Sequence, residues 1–320
     1  MSAMSDPDES VSGPVVVGFD GTASGEDALT LARACARVLG STLVVATVHP
    51  GPPPVSLARV DAEWVAARHR QAEEILDAAR SLVADVRPVE FRVVASSSAA
   101  HGLHDTAEQL RASVIVVGSS STAAENRLFA GSTADRLLAG SRAPVGVAPA
   151  GMRARDPGTL RRIGVAYIDT TDGHAALDLA VRLAARVGAT LTLYSVLADE
   201  AEVVMPVIGR DAEHGFAAMA HQSFQRALDM ALAGVPAEVP ATGRILTGDV
   251  VGVLSELDEV DVLFCGSRGY GPGRRVLLGG VSSKLVRRAR SPIIVVPRAR
   301  STASRRAEEP SGSRRTLRPS

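Results

Sequence analysis

Aromatic residues are scarce, at 3% of 320. Single-stranded nucleic acid is held largely by stacking on such side chains, so that class of partner is disfavoured. There are two cysteines, Cys35 and Cys265, in apolar patterns in separate halves of the chain. That number excludes a disulfide framework and a thiolate metal site, and both read as buried core thiols without a redox role. Charge of one sign is also missing: 35 basic residues balance 35 acidic ones. Bulk electrostatics therefore favours neither nucleic acid nor a membrane surface. No apolar run approaches the roughly 20 residues of a membrane-spanning helix. The opening MSAMSDPDES has neither the basic region nor the apolar stretch of a signal peptide, so the cytoplasm is the default expectation. Lysine occurs once, at Lys284, after Ser283. A Walker loop needs Lys and then Ser/Thr directly after its last glycine, so that phosphate motif is excluded.

What is present is 46% hydrophobic and 22% charged, a composition suited to about two globular domains. An internal repeat sets their boundaries. Shifted by 148 residues, Ala28-Leu29 falls on Ala176-Leu177, Gly40 on Gly188, Gly118-Ser119 on Gly266-Ser267, and Gly131 on Gly279. Pro144 and Pro149 fall on Pro292 and Pro297. A domain-sized period means one unit written twice, not a solenoid. The units span residues 13–150 and 162–298, joined by a linker at 151–161. Residues 1–12 and the Arg-rich segment 299–320 are expected to be disordered tails.

Each unit alternates strands and helices. In the first, strands are expected at 15–19, 42–48, 89–95, 114–117 and 145–148, with helices at 24–39, 57–83, 104–111 and 132–139. Strands in the second fall near 163–168, 190–196, 242–246, 262–265 and 293–296. Ala28, Leu31, Ala32, Cys35 and Leu39 form one apolar helix face, and their partners Ala176, Leu179, Ala180, Leu183 and Val187 are also apolar. Several strands are apolar throughout, as strands covered on both faces are. The fold class is α/β: two repeated Rossmann-like domains, each an open five-stranded parallel sheet with helices on both faces. Ligands in such sheets bind beyond the carboxyl ends of the strands, where the winding reverses. The last strands, short and flanked by prolines, are expected to bring the units together as a pseudo-two-fold pair.

The stretch Gly266 to Ser283 carries the chemistry. Glycines at 266 and 269 follow an apolar strand, and Gly279-Gly280-Val281-Ser282-Ser283 opens the next helix. Glycines allow positive φ and close approach, and the first amides of a helix favour an anion. Arg268 adds a cation. The glycines alone leave two readings open: a phosphate cradle, or a loop that turns a corner. The nine-residue gap between them separates the pattern from the dinucleotide fingerprint.

Val17-Gly-Phe-Asp20-Gly-Thr-x-Ser24, Ala28-Leu29, the Gly-x2-Gly-x9-Gly-Ser/Thr loop and the duplication together resemble a tandem member of the universal stress protein family, over about residues 13–298. The resemblance implies ATP, with or without Mg, as cofactor. It implies adenine on the Asp after the first strand and on main chain at the end of the second, with phosphates on the glycine loop and its hydroxyls. Other members lack the motif and bind no ATP.

Carried over residue by residue, the first unit offers Asp20, Val48, Gly118, Gly131, Ser132 and Thr133, but Ser121 stands where the second loop glycine belongs. If that position needs positive φ, serine strains it by about 1 kcal/mol. The second unit offers Val196, Gly266, Arg268, Gly269, Gly279, Gly280, Val281 and Ser282, but Ile168 holds the Asp position, with Asp169 as a displaced substitute. The second unit is therefore expected to be the stronger phosphate site and the first the better adenine site.

The function implied is stress response or signalling through nucleotide-dependent shape or partner choice. The alternatives are a nucleotide-independent scaffold with vestigial sites, or an ATP-hydrolysing enzyme of related architecture. An ATP pyrophosphatase would need Ser-Gly-Gly-x-Asp-Ser after the first strand, where the chain has Gly21-Thr22-Ala23-Ser24-Gly25. A nucleotidyl transferase would need a His-x-x-His pair at a phosphate. His101 and His104 have that spacing but read as helix-surface residues. No catalytic residue is assigned, and slow hydrolysis of bound ATP is the upper limit. Partners are an adenine nucleotide and an unidentified protein; a homodimer of the paired units stays open.

Overall fold

A computed structural model describes residues 13–51, 58–198, 210–267 and 279–297. The tails expected at 1–12 and 299–320 lie outside them. In chain order the first unit runs β1 (Val15–Gly18), α1 (Ala23–Leu39), β2 (Leu43–Pro50), α2 (Ala58–Leu82), β3 (Val89–Ser96), α3 (Ala99–Leu110), β4 (Val114–Gly118), α4 (Ser132–Gly140) and β5 (Val145–Ala148). The second runs β6 (Arg162–Ala166), α5 (Thr171–Val187), β7 (Thr190–Leu197), α6 (Arg210–Ala233), β8 (Ala241–Thr247), α7 (Val250–Ser255), β9 (Val262–Gly266), α8 (Gly280–Leu285) and β10 (Ile293–Val296).

Helix ends follow local chemistry. The Thr22 hydroxyl accepts from the Gly25 amide and opens α1, and Thr170 does the same from Gly173 for α5. Gly40 and Gly188 close these helices in the left-handed region, at φ 58° and 62°, where a Cβ is disfavoured. Both pairs of caps repeat at the 148-residue offset. Helix α3 begins at Ala99, five residues before the expected 104. Ser98 caps it by accepting from the His101 amide, a cap that the sequence reading had passed over.

The strands form a single ten-stranded sheet in the order β3-β2-β1-β4-β5-β10-β9-β6-β7-β8. All neighbours are parallel except β5 and β10, which pair antiparallel with Ile293 opposite Val147 and Val295 opposite Val145. The two five-stranded sheets are thus fused by their last strands, as the edge argument anticipates, and one chain forms its own pseudo-dimer. Apolar side chains alternate across the sheet. Val15, Val17 and Val45 pack with α1, α2 and α5 on one face, while Val16, Val44 and Ile115 pack with α3 and α4 on the other.

The linker is anchored rather than loose. Buried Asp27 accepts from the Gly151 amide at 2.9 Å, from the Arg153 amide at 2.8 Å and from the Arg153 guanidinium at 3.0 Å. Arg186 of α5 donates to the Leu39 carbonyl at 2.7 Å, so α1 and α5 meet at the pseudo-axis.

Two outcomes follow. Ile294 is buried in the fused core, so Ile294→Ala should cost about 2–5 kcal/mol in urea unfolding, and a change under 1 kcal/mol would show that the β5–β10 seam carries little stability. Burial pushes both the Cys35 and Cys265 thiols up to about 12. The reactive thiolate is absent at neutral pH, so Ellman's reagent should leave the native protein unlabelled and label two thiols after unfolding.

Candidate functional site

Helices α1 and α2 leave the sheet on one face and α3 and α4 on the other, so the winding reverses between β1 and β4. A crevice opens at that point. Strand β1 ends at Gly18 while β2 continues to Pro50. The Phe19 amide donates to the Ala46 carbonyl at 2.9 Å. Val48, two residues on, turns its own N–H and C=O to the same side, where β1 has ended. Its main chain therefore borders the crevice.

The cavity has a volume of about 360 Å³ and is lined by all six first-unit residues read from the sequence: Asp20, Val48, Gly118, Gly131, Ser132 and Thr133. Asp20 is exposed and oriented: its Oδ1 accepts from the Thr22 amide at 3.1 Å and the Thr22 hydroxyl at 2.6 Å. At the far end, Gly131 caps α4 without a side-chain hydrogen bond. The first amides of that helix are left facing the crevice, with the hydroxyls of Ser132 and Thr133 beside them. Asp20 is the one acidic or basic side chain in the lining, so the remaining polar surface is amide and hydroxyl.

Gly118 and Gly266 serve helix–strand packing, a purpose the sequence did not suggest. Gly118 and Gly131 do not take positive φ. A Cβ on Gly118 would stand 2.1 Å from the Ser24 carbonyl oxygen, and one on Gly266 would stand 2.7 Å from that of Asp172. Glycine at these strand ends lets the first turn of α1 or α5 sit directly on the sheet. The Ser24 hydroxyl seals the contact by donating to the Ser119 carbonyl. The strain expected at Ser121 is also absent. Among described non-glycine residues only Arg111 and Asn126 have positive φ, and within this loop it is Asn126, at 60°.

That first-unit loop leans on the second unit. The Leu128 amide donates to the Ala289 carbonyl at 2.8 Å, and the Ala130 amide to Val286 at 2.9 Å. Arg127 donates to the Arg288 carbonyl at 2.9 Å and to Glu256 at 2.7 Å. The Arg127 hydrogen bond, joined by Arg290, holds the Glu256 carboxyl below its ordinary value against a smaller opposing effect of burial.

The described second-unit candidates take the following places. Asp169 pairs with His174 at 2.8 Å and lines a cavity between α5 and α6. Ser282 is buried and donates to the Gly266 carbonyl at 2.7 Å, so its hydroxyl ties α8 to β9. Val196 is buried in the core. The Gly279 amide donates to the Ser267 carbonyl at 2.7 Å, and Gly280 and Val281 open α8. Arg268 and Gly269 lie outside the described residues. Where the first unit has Ser24, the second has buried Asp172, which accepts from the Ser267 hydroxyl at 3.2 Å.

The sequence reading missed Ala99 and Leu103, which line the first crevice from the start of α3. The signal was Ser98, a capping residue two positions after β3. His101 and His104, on the same helix, face Asp105 and Glu108 at 3.3 and 3.7 Å, as surface i,i+4 pairs do.

Two doubly wound α/β units, fused edge to edge with a crevice at the switch point of the first, define a tandem Rossmann-like protein. Residues 12–149 and 159–297 each match the model of the universal stress protein family. Universal stress protein Rv2319c of Mycobacterium tuberculosis is 32% identical over 300 residues, covering 88% of this chain and 99% of that protein, and universal stress protein Mb2346c of Mycobacterium bovis matches equally. The crystal structure of a universal stress protein from Archaeoglobus fulgidus shares the fold at a TM-score of 0.60 and 17% identity, covering 90% of this chain and 97% of that one. The chain belongs to the universal stress protein family.

The glycine geometry sets an expectation. Gly118→Ala should destabilise by about 1–3 kcal/mol, because backbone must move to admit the methyl group. Gly131→Ala, whose nearest neighbour would be 3.6 Å away, should cost under 1 kcal/mol. Equal costs in urea melts would show that helix–strand contact is not what Gly118 serves.

Proposed function

We propose that this protein binds ATP in the crevice of its first unit and acts in stress response or signalling through nucleotide-dependent shape or partner choice. One observation carries the reading: Asp20 and Val48, assigned to adenine, and Gly131, Ser132 and Thr133, assigned to phosphate, line a single cavity. Its volume of about 360 Å³ suits a small ligand. The uncapped start of α4 suits an anion. Adenine would lie at the Val48 main chain with Asp20 as acceptor, and phosphates would meet the α4 amides and hydroxyls. A Mg ion would neutralise phosphate charge that the lining, with no cationic side chain, leaves unbalanced.

This ordering reverses the expectation from sequence that the second unit holds phosphate more strongly. Ser121 is unstrained, Ser282 is turned inward, Asp169 faces another cavity, and Asp172 puts a carboxylate where the first unit has a hydroxyl. The reading is of a binder, not a turnover enzyme, since Asp20 is the one titratable side chain in the lining.

Calorimetry with Mg-ATP tests it. Asp20→Ala should weaken binding about 10- to 150-fold, the equivalent of about 1.5–3 kcal/mol for a hydrogen bond to a charged group. Gly131→Glu should abolish binding by placing a carboxylate where phosphate would sit. Gly279→Glu should leave most binding intact. Loss with Gly279→Glu and none with Gly131→Glu would move the site to the second unit. A wild-type protein that binds no ATP at millimolar concentration would overturn the proposal.

A further inference from the structure

The second unit has a cavity of about 370 Å³ between α5 and α6, on the face of the sheet away from α7 and α8. Its floor is apolar, formed by Leu177 and Val181 from α5 and by Ala227 and Ala231 from α6. Arg182 lines it, and the Arg182 Nε is buried with no hydrogen-bond partner. A buried guanidinium N–H without an acceptor is costly, and an acceptor brought by a ligand would relieve that cost. Tyr167 adds a phenol, whose pKa burial and the Asp169 charge raise, so it stays protonated as a donor. The Asp169 carboxylate at the rim is engaged by His174, whose ring meets Tyr167 edge-on with centroids 5.8 Å apart.

None of this polar set exists in the first unit. At the positions 148 residues earlier stand Phe19 for Tyr167, Gly21 for Asp169, Glu26 for His174 and Ala34 for Arg182. The second unit has thus placed an arginine and a phenol over an apolar floor where its twin has neither.

We propose that this cavity binds a small amphipathic carboxylate, with its carboxyl group on Arg182 and Tyr167 and its apolar body on the α5–α6 floor. The chemistry follows from the donors. A planar guanidinium matches a carboxylate, and the floor admits a branched aliphatic or aromatic group. Asp178, exposed at the outer rim, would repel a bare anion weakly and favour a ligand that also carries an ammonium group. The site is independent of the first-unit crevice.

Saturation-transfer NMR and calorimetry on the full chain, with 3-phenylpropionate and phenylalanine as probes and 3-phenylpropanol as the uncharged control, test this. At least one carboxylate probe should bind with submillimolar Kd, and the alcohol at least tenfold more weakly. Arg182→Met should reduce binding at least tenfold. Ala227→Leu, which fills the floor and keeps the arginine, should reduce it as well, while Asp20→Ala should leave it unchanged. Circular dichroism confirms that the variants are folded. Absence of binding by both carboxylates at 10 mM, equal binding of the alcohol, or full binding by folded Arg182→Met would overturn the proposal.

Discussion

The antiparallel pairing of β5 with β10 is the contact on which the rest of the architecture depends. Five-stranded open sheets expose backbone at both edges, and such edges invite uncontrolled pairing. Here one edge of each unit is consumed by the other, and the sheet continues through ten strands. Both cores then run across the seam: residues of both units share each hydrophobic layer. The linker needs little freedom, and Asp27 fixes its first residues to α1.

The seam also places the first unit's loop between β4 and α4 against the second unit. Its amides at Leu128 and Ala130 find their acceptors in residues 286–289 of the other half. The crevice wall is therefore a shared construction, even though every residue that lines the cavity belongs to the first unit. The second unit has diverged in compensating ways. In the first, Val16 on β1 and Ala46 on β2 are diagonal neighbours, two residues apart in register. In the second the equivalent positions are Gly164 and Tyr194, and a Cβ on Gly164 would lie 3.2 Å from the tyrosine ring. Bulk has moved from one strand to its neighbour while the layer stays filled.

Much of this was legible in the sequence. The 148-residue offset fixed two equal units, and apolar strands alternating with amphipathic helices fixed a parallel sheet covered on both faces. The six first-unit residues were readable because each sits at a strand end or helix start, positions that chain order alone locates. Other features were not readable, for physical reasons. The role of Gly118 depends on Ser24, 94 residues away, whose carbonyl occupies the space of the missing Cβ. The positive φ falls at Asn126 and not at Ser121, and no local rule says which residue of a long loop will take it. Asp169 looked like a shifted Asp20, but one step along the chain turned it to the opposite face, where His174 of the next helix held it.

Gly146 stands opposite Ile294 on the seam, and these two positions are equivalent in the repeat. On the symmetry axis of a true homodimer such a position meets its own copy, so the choice of side chain is made twice at once. Two isoleucines would crowd the axis and two glycines would leave it empty. A covalent tandem escapes that rule, because its halves mutate separately and a large residue can face a small one. The Gly146–Ile294 pair records this freedom. Having settled into complementary forms, the two halves could no longer be exchanged for a doubled copy of either one.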